Sequence, residues 1–217
     1  YLDLYNLYNY VVKNKRTTIL EFGSGWSSLI FILALNELKR KFYNESKNLR
    51  RGNPFELFIL ENNKKYLNIT KKRINNFFKK NKIKNICKIN YIISDVKMAE
   101  FSGRYVTEYK KIPICNPDFI YLDGPDQKNI KSDLINFTTN HTDLMPMVSD
   151  ILKFEYFLIP GTIIISDGRA ANVKFLKDFF RRNWIYRYDN KSDQHFFFLN
   201  DKSLGKHNDK LLKFYKK

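Results

Sequence analysis

The sequence alternates short, almost wholly apolar runs with longer segments of helical period. The runs are 18–22 (TILEF), 55–60 (FELFIL), 89–94 (INYIIS), 118–122 (DFIYL) and 161–166 (GTIIIS). Helical patterns fill 27–48, 63–81 and 170–182, and the second places Leu67, Thr70, Ile74, Phe77 and Phe78 on one face. Strands that are apolar along their whole length are buried on both faces, which is the mark of a parallel sheet covered by its crossover helices. The last two runs, 185–188 and 195–199, are separated only by a polar turn, 189–193. With no helix between them, they pair antiparallel. The expected fold is therefore an open, doubly wound, mostly parallel seven-stranded α/β sheet. It has helices on both faces and a C-terminal antiparallel hairpin.

At 217 residues the chain has room for one such domain, expected over 1–200. Residues 137–149 (FTTNHTDLMPMVS) read as a polar insertion able to act as a lid. The basic tail, 201–217, is expected to be solvated. No apolar run approaches the roughly 18–20 residues of a membrane-spanning helix, and no cationic-then-apolar signal segment leads the sequence. Cys87 and Cys115 stand alone, without metal-ligand spacing. Two structural thiols and a cytoplasmic setting are the expectation.

Thirty-nine Lys and Arg against 22 Asp and Glu give a formal charge of +17. Such an excess attracts polyanions and by itself defines no site. Lys, Asn, Ile, Tyr and Phe are all abundant, as A/T-rich codons would make them, and the lysines are dispersed.

In a doubly wound sheet, ligands bind where the strands end. The first run ends in Glu21-Phe22-Gly23-Ser24-Gly25-Trp26-Ser27-Ser28. Gly23 and Gly25 permit a tight turn, and the helix behind them offers free N–H groups. A dinucleotide fold would want a third glycine where Ser28 stands and an acid about 20 residues on. Glu61, the next acid at a strand end, comes much later.

With Glu21 two places before the first glycine, LEFGSG resembles the first motif of the Rossmann-like, class I S-adenosylmethionine-dependent methyltransferases. ILEN, with Glu61, is similar to their ribose-binding position. IISD, with Asp95, is similar to their adenine-contacting position. The terminal hairpin matches as well. The resemblance implies S-adenosylmethionine as cofactor, lined by Glu21, Gly23, Gly25, Glu61 and Asp95. A carboxylate at 61 can accept from both ribose hydroxyls together.

A second cluster, Asp123-Gly124-Pro125-Asp126-Gln127 and Asp167-Gly168-Arg169, ends the fourth and fifth strands. It resembles small-molecule O-methyltransferases, including those that act on sugars, whose acids at these positions bind a divalent metal. Two carboxylates beside a hydroxyl acceptor would suit Mg²⁺. Gly168 stands where that pattern has another acid or Asn. His195 opens the last strand, and a neutral imidazole near Asp123 or Asp167 would accept the acceptor's proton. Arg169 and Arg104 are candidate substrate contacts, the latter in a loop after the third strand.

The expected activity is methyl transfer to a hydroxyl of a small molecule, such as a sugar or glycan precursor. An RNA methyltransferase using the basic surface and a non-catalytic binding module stand beside it as alternatives. A nicotinamide dehydrogenase is disfavoured by the missing glycine.

Overall fold

A computed structural model describes residues 2–132 and 137–216. The chain runs α1 (Leu2–Lys13), β1 (Thr18–Phe22), α2 (Trp26–Ser46), β2 (Glu56–Glu61), α3 (Lys64–Lys80) and β3 (Lys88–Ile93). A hairpin follows, β4 (Val96–Phe101) and β5 (Arg104–Tyr109), then β6 (Phe119–Leu122), the two-residue β7 (Ile130–Lys131) and α4 (Asp150–Lys153). The chain closes with β8 (Ile163–Asp167), α5 (Ala170–Phe179), β9 (Trp184–Asp189), β10 (Gln194–Leu199) and α6 (Lys206–Lys216).

Seven strands form one sheet in the order β3-β2-β1-β6-β8-β10-β9. Pairs from β3 to β8 are parallel, and β10 is antiparallel to both β8 and β9. Alternation along each strand sends side chains to two cores. Ile19, Leu57, Ile59, Phe119, Tyr121, Ile163 and Ile165 pack under α1, α2 and α3. Leu20, Phe22, Phe58, Leu60, Ile120, Leu122 and Ile164 pack on the other face, against α4, α5 and the small sheet.

That small sheet, β5-β4-β7, departs from the expected layer of helices. Residues 96–109 are a hairpin, not a loop. Its turn is Ser102-Gly103, both at positive φ, as a two-residue hairpin turn demands. The inner face carries Val96, Met98 and Tyr109, all buried in the core on that side of the large sheet. The insertion is fastened to it: the Thr107 N–H donates to Met147 O (2.7 Å), Val148 bridges Thr107, and Phe137 stacks on Tyr105.

The C-terminal tail also departs from expectation, because α6 is docked. Leu211, Phe214 and Tyr215 are buried against Phe42, Leu49 and Ile159. The Tyr215 hydroxyl donates to Asp118 (2.8 Å), a fully buried carboxylate just before β6. Asp118 also accepts from the N–H groups of Thr17 and Thr18 and from the Thr17 hydroxyl. Leaving a buried acceptor short of one donor costs about 1–3 kcal/mol. Tyr215→Phe is therefore expected to lower the thermal midpoint by several degrees while far-UV dichroism stays unchanged. An unaltered midpoint would show that α6 contributes nothing through this bond.

Candidate active site at the strand ends

Register places one row of residues across the carboxyl end of the sheet. Phe22 is level with Leu60 and Leu122, and Leu122 with Ser166. One step further on, Glu61, Gly23, Asp123 and Asp167 are side by side, with Gln194 opposite Asp167. By alternation, Glu61, Asp123 and Asp167 share the face covered by α1 and α2, and Glu21 lies one repeat below Gly23 on that same face. Three neighbouring strands thus each end in an acid at one edge of the sheet, while the acid of β1, Glu21, lies one layer beneath them. At about 4.8 Å between strands, Glu61 and Asp123 stand roughly 10 Å apart across Gly23.

Backbone crowding enforces the glycines. Gly23 has φ +102°, and a Cβ there would lie 3.0 Å from the Asp123 and Gly124 backbone. A Cβ on Gly124 would lie 2.6 Å from Gly23 N and 2.8 Å from Phe22 C. Gly25, by contrast, has room: its nearest neighbour would be Ser27 Oγ at 3.8 Å. The loops after β2 and β6 are tied across the end of β1. The Asp126 N–H donates to Asn62 Oδ1 (3.1 Å), and Asn62 Nδ2 donates to Asp126 O (3.3 Å).

Glu21 lies beneath the turn, 1% exposed, and accepts from the hydroxyls of Ser27 (2.5 Å) and Ser28 (2.6 Å). Ser28 Oγ in turn accepts from the Gly25 N–H (3.2 Å). Glu21 thus fixes the turn to the start of α2 from below. Burial pushes its carboxyl up to about 8, and the two hydroxyls oppose the shift. A carboxyl raised on folding binds its proton more tightly in the native state. Its stabilisation is whole below the unfolded value near 4.5 and is lost as pH rises toward 8. Glu21→Gln is expected to shrink the difference in urea midpoint between pH 5 and pH 8. An unchanged difference would show that Glu21 is ionised throughout.

Glu61 is 3% exposed. Its Oε1 accepts from the N–H groups of Asn62 (2.8 Å) and Asn63 (2.9 Å), and its Oε2 from Ser24 Oγ (2.7 Å). Burial raises its pKa against those hydrogen bonds. Asp123, at the end of β6, is exposed. Burial pushes its carboxyl up to about 6, with Arg169 opposing and Asp167 and Glu61 adding to the shift. Asp167 is half-buried and accepts from the Tyr121 hydroxyl (3.2 Å); burial raises its pKa too.

Several expected roles change. His195 is level with Ser166, so its side chain falls on the face opposite Asp123 and Asp167. There its Nδ1 meets the Tyr186 hydroxyl (2.9 Å) and its ring stacks on Tyr188. Gln194 takes the place beside Asp167, 1% exposed, with its Oε1 unpaired. The guanidinium of Arg169 donates to Asp123 O (3.0 Å) and Pro125 O (3.1 Å), so it braces the loop after β6. Arg104 opens β5 beside the exposed hairpin turn and donates to Gly103 O, away from the row of acids. Asp95 is bound to Lys131 (2.9 Å) and lies near Lys110 (3.6 Å), half in solvent; the Lys131 bond lowers its pKa. Trp26 is exposed under the Arg73 guanidinium, 4.3 Å from the ring centroid.

Residues that sequence reasoning missed are Ser24, Tyr121 and Gln194. Ser24 was visible inside the glycine turn, whereas Tyr121 and Gln194 read as ordinary strand positions. Tyr109 joins them: its hydroxyl is buried without a partner, in the field of Glu61, Arg169, Asp150 and Asp123.

Mg²⁺ finds no support. Among the described residues no three His, Cys, Asp or Glu side chains converge as ligands. A hard divalent ion takes six or more oxygens, and Asp123 and Asp167 are the pair that the strand ends offer. No helix among the described residues is long and apolar enough to cross a membrane.

No protein-family model matches the sequence, and no curated protein matches it. Among solved structures, the chain is similar to an O-methyltransferase from Bacillus cereus in complex with SAH. Identity is 13%, the match covers 92% of this chain and 80% of that one, and the TM-score is 0.43. At that distance the assignment of the fold rests on the chain's own topology: a doubly wound sheet closed by an antiparallel hairpin.

Proposed function

We propose that the protein is an S-adenosylmethionine-dependent methyltransferase acting on a hydroxyl group, with a small molecule such as a sugar or glycan precursor as acceptor. The observation that carries this reading is the row Glu61–Gly23–Asp123–Asp167 at the strand ends. Burial drives each of its acids toward the neutral form, so a cationic ligand placed among them is favoured. The cofactor carries a sulfonium and an ammonium group. It also carries a ribose diol, and Glu61 keeps acceptor capacity beyond its three present donors. The buried, unpaired Tyr109 hydroxyl supplies a further polar group beside Glu61.

When bound, S-adenosylmethionine supplies an activated methyl group. The chain's own contribution is then positional and electrostatic. Glu61 and the Gly23–Gly25 turn hold the cofactor, and Glu21 keeps that turn in place. Asp123 is ionised near neutral pH and takes the proton from the acceptor hydroxyl. Asp167, held by Tyr121, orients the acceptor.

The test is calorimetric titration of the full chain with S-adenosylhomocysteine, with NAD as control. The expected result is micromolar binding that Glu61→Ala abolishes and no binding of NAD. A folded protein that ignores S-adenosylhomocysteine would overturn the reading in favour of a binding module.

One observation favours an RNA acceptor as the second reading. The α3 sequence KKYLNITKKRINNFFKK carries seven Lys and Arg and no acid, and it begins immediately beside Glu61. Salt-sensitive RNA binding that falls linearly on a log–log plot would select it.

A further inference from the structure

A second pocket lies at the opposite end of the sheet. Its lining comes from residues just before β2, β6 and β8: Arg50–Asn53, Ile112–Pro117, Phe154 and Phe157–Ile159. Its volume is about 510 Å³, within the range of small-molecule sites. A strand of about five residues separates it from the row of acids, roughly 17 Å. Its origin is topological. Among the described residues, the connections β5–β6 and β6–β8 contain no helix longer than α4, of four residues. Irregular segments cover this part of the sheet face, and a cavity remains between them.

The walls are apolar, with Ile112, Phe154 and Leu158 inside and Ile114 and Phe157 at the mouth, 101% and 78% exposed. The polar end is cationic. Arg51 has only 4% of its side chain exposed, donates to Asn116 O (2.6 Å) and lies 3.5 Å from Asp118. Arg16, 2% exposed and stacked on Tyr215 at 3.7 Å, draws on the same carboxylate. Two buried guanidiniums therefore share one carboxylate, which four other donors already engage. The Nε of each arginine is buried without an acceptor. Glu56, the other acid nearby, is committed to Lys88 (3.1 Å) and Asn90 (3.0 Å). Two buried cations against one shared carboxylate leave a net positive charge, which an anion at Arg51, the one of the two that lines the pocket, relieves. Arg50 adds an exposed cation at the rim.

We propose that this pocket binds an anionic amphiphile, a carboxylate or phosphate monoester joined to an apolar chain or ring. Its head meets Arg50 and Arg51, and its apolar part lies against Ile112, Ile114, Phe154 and Phe157. The site is independent of the methyltransferase reading, since it shares no residue with the row of acids.

The experiment is calorimetry of the full chain with decanoate, decyl phosphate and, as the neutral control, decanol, all below their micelle-forming concentrations. The expected result is one site per chain for both anions, with decanol at least about tenfold weaker. Decanoate and decyl phosphate distinguish the two head groups. Arg51→Gln removes the preference for anions. Phe157→Asp, at an exposed position, weakens both anions at least about tenfold. Should Arg51→Gln fail to fold, Arg50→Gln and Phe157→Asp decide the matter, because both positions face solvent. Decanol binding as tightly as the anions overturns the proposal. So does wild-type affinity in Phe157→Asp, absence of binding, or binding only to anionic phospholipid vesicles.

Discussion

Gly124→Ala is expected to destabilise the protein by about 3 kcal/mol or more, among the larger effects of a single substitution. The added methyl would lie 2.6–2.8 Å from three atoms, all of them backbone of Phe22 and Gly23. No side chain is present to rotate away, so relief requires β1 and β6 to separate at their paired ends. The loop after β6 is also braced by two Arg169 hydrogen bonds, which would stretch with it. Urea denaturation checks this: the midpoint should fall sharply with little change in slope. Gly25→Ala is the control, because a methyl there meets nothing closer than 3.8 Å. Equal midpoints for the two variants would show that the loops yield more easily than their contacts imply.

Asp123→Asn is expected to reduce methyl transfer at least about a hundredfold while leaving S-adenosylhomocysteine binding within a few fold, because a positioned base contributes about 10²–10⁴. Asparagine keeps the shape and removes the basicity. The pH dependence supplies an independent readout. On the proposed reading the base is ionised Asp123, whose carboxyl is raised to about 6. Wild-type turnover should therefore rise with pH through a limb near 6 and level off above it. Solvent contact at the end of β6 tends to move that limb lower, not higher. In Asp123→Asn the limb should be gone. A variant that keeps wild-type turnover, or a wild-type profile flat between pH 4 and 8, would remove Asp123 from the reaction.

The sheet was legible in the sequence because its strands are apolar on both faces and its turns are marked by Gly, Pro and Asn. The bounds of β1 and the polar turn between β9 and β10 come straight from that pattern. The small sheet was not legible as such, since β4 (VKMAEF) alternates weakly and carries two charges, although the Ser102-Gly103 turn signal lay between it and β5. The docking of α6 was hidden by charge. Its lysines dominate the composition, and only its packing shows that Leu211, Phe214 and Tyr215 share a buried face.

At the site, the acids could be named from their places at strand ends. Which sheet face each would take could not. His195 illustrates this. A one-residue difference in register decides whether histidine or Gln194 stands beside Asp167, and nothing local to the last strand fixes it. The bracing role of Arg169 was hidden for another reason. Its partners are main-chain carbonyls of the loop after β6, and carbonyl directions are a tertiary outcome that side-chain chemistry cannot announce.

The buried carboxylate before β6 has a kinetic consequence. Asp118 collects donors from residues 17, 18 and 215, separated from it by about a hundred positions on either side. Contacts of such long range form only after most of the chain has condensed, when the loop-closure entropy has already been overcome. The cluster therefore belongs to the native side of the folding barrier. Loosening it should quicken escape from the folded state and leave the rate of reaching that state nearly untouched.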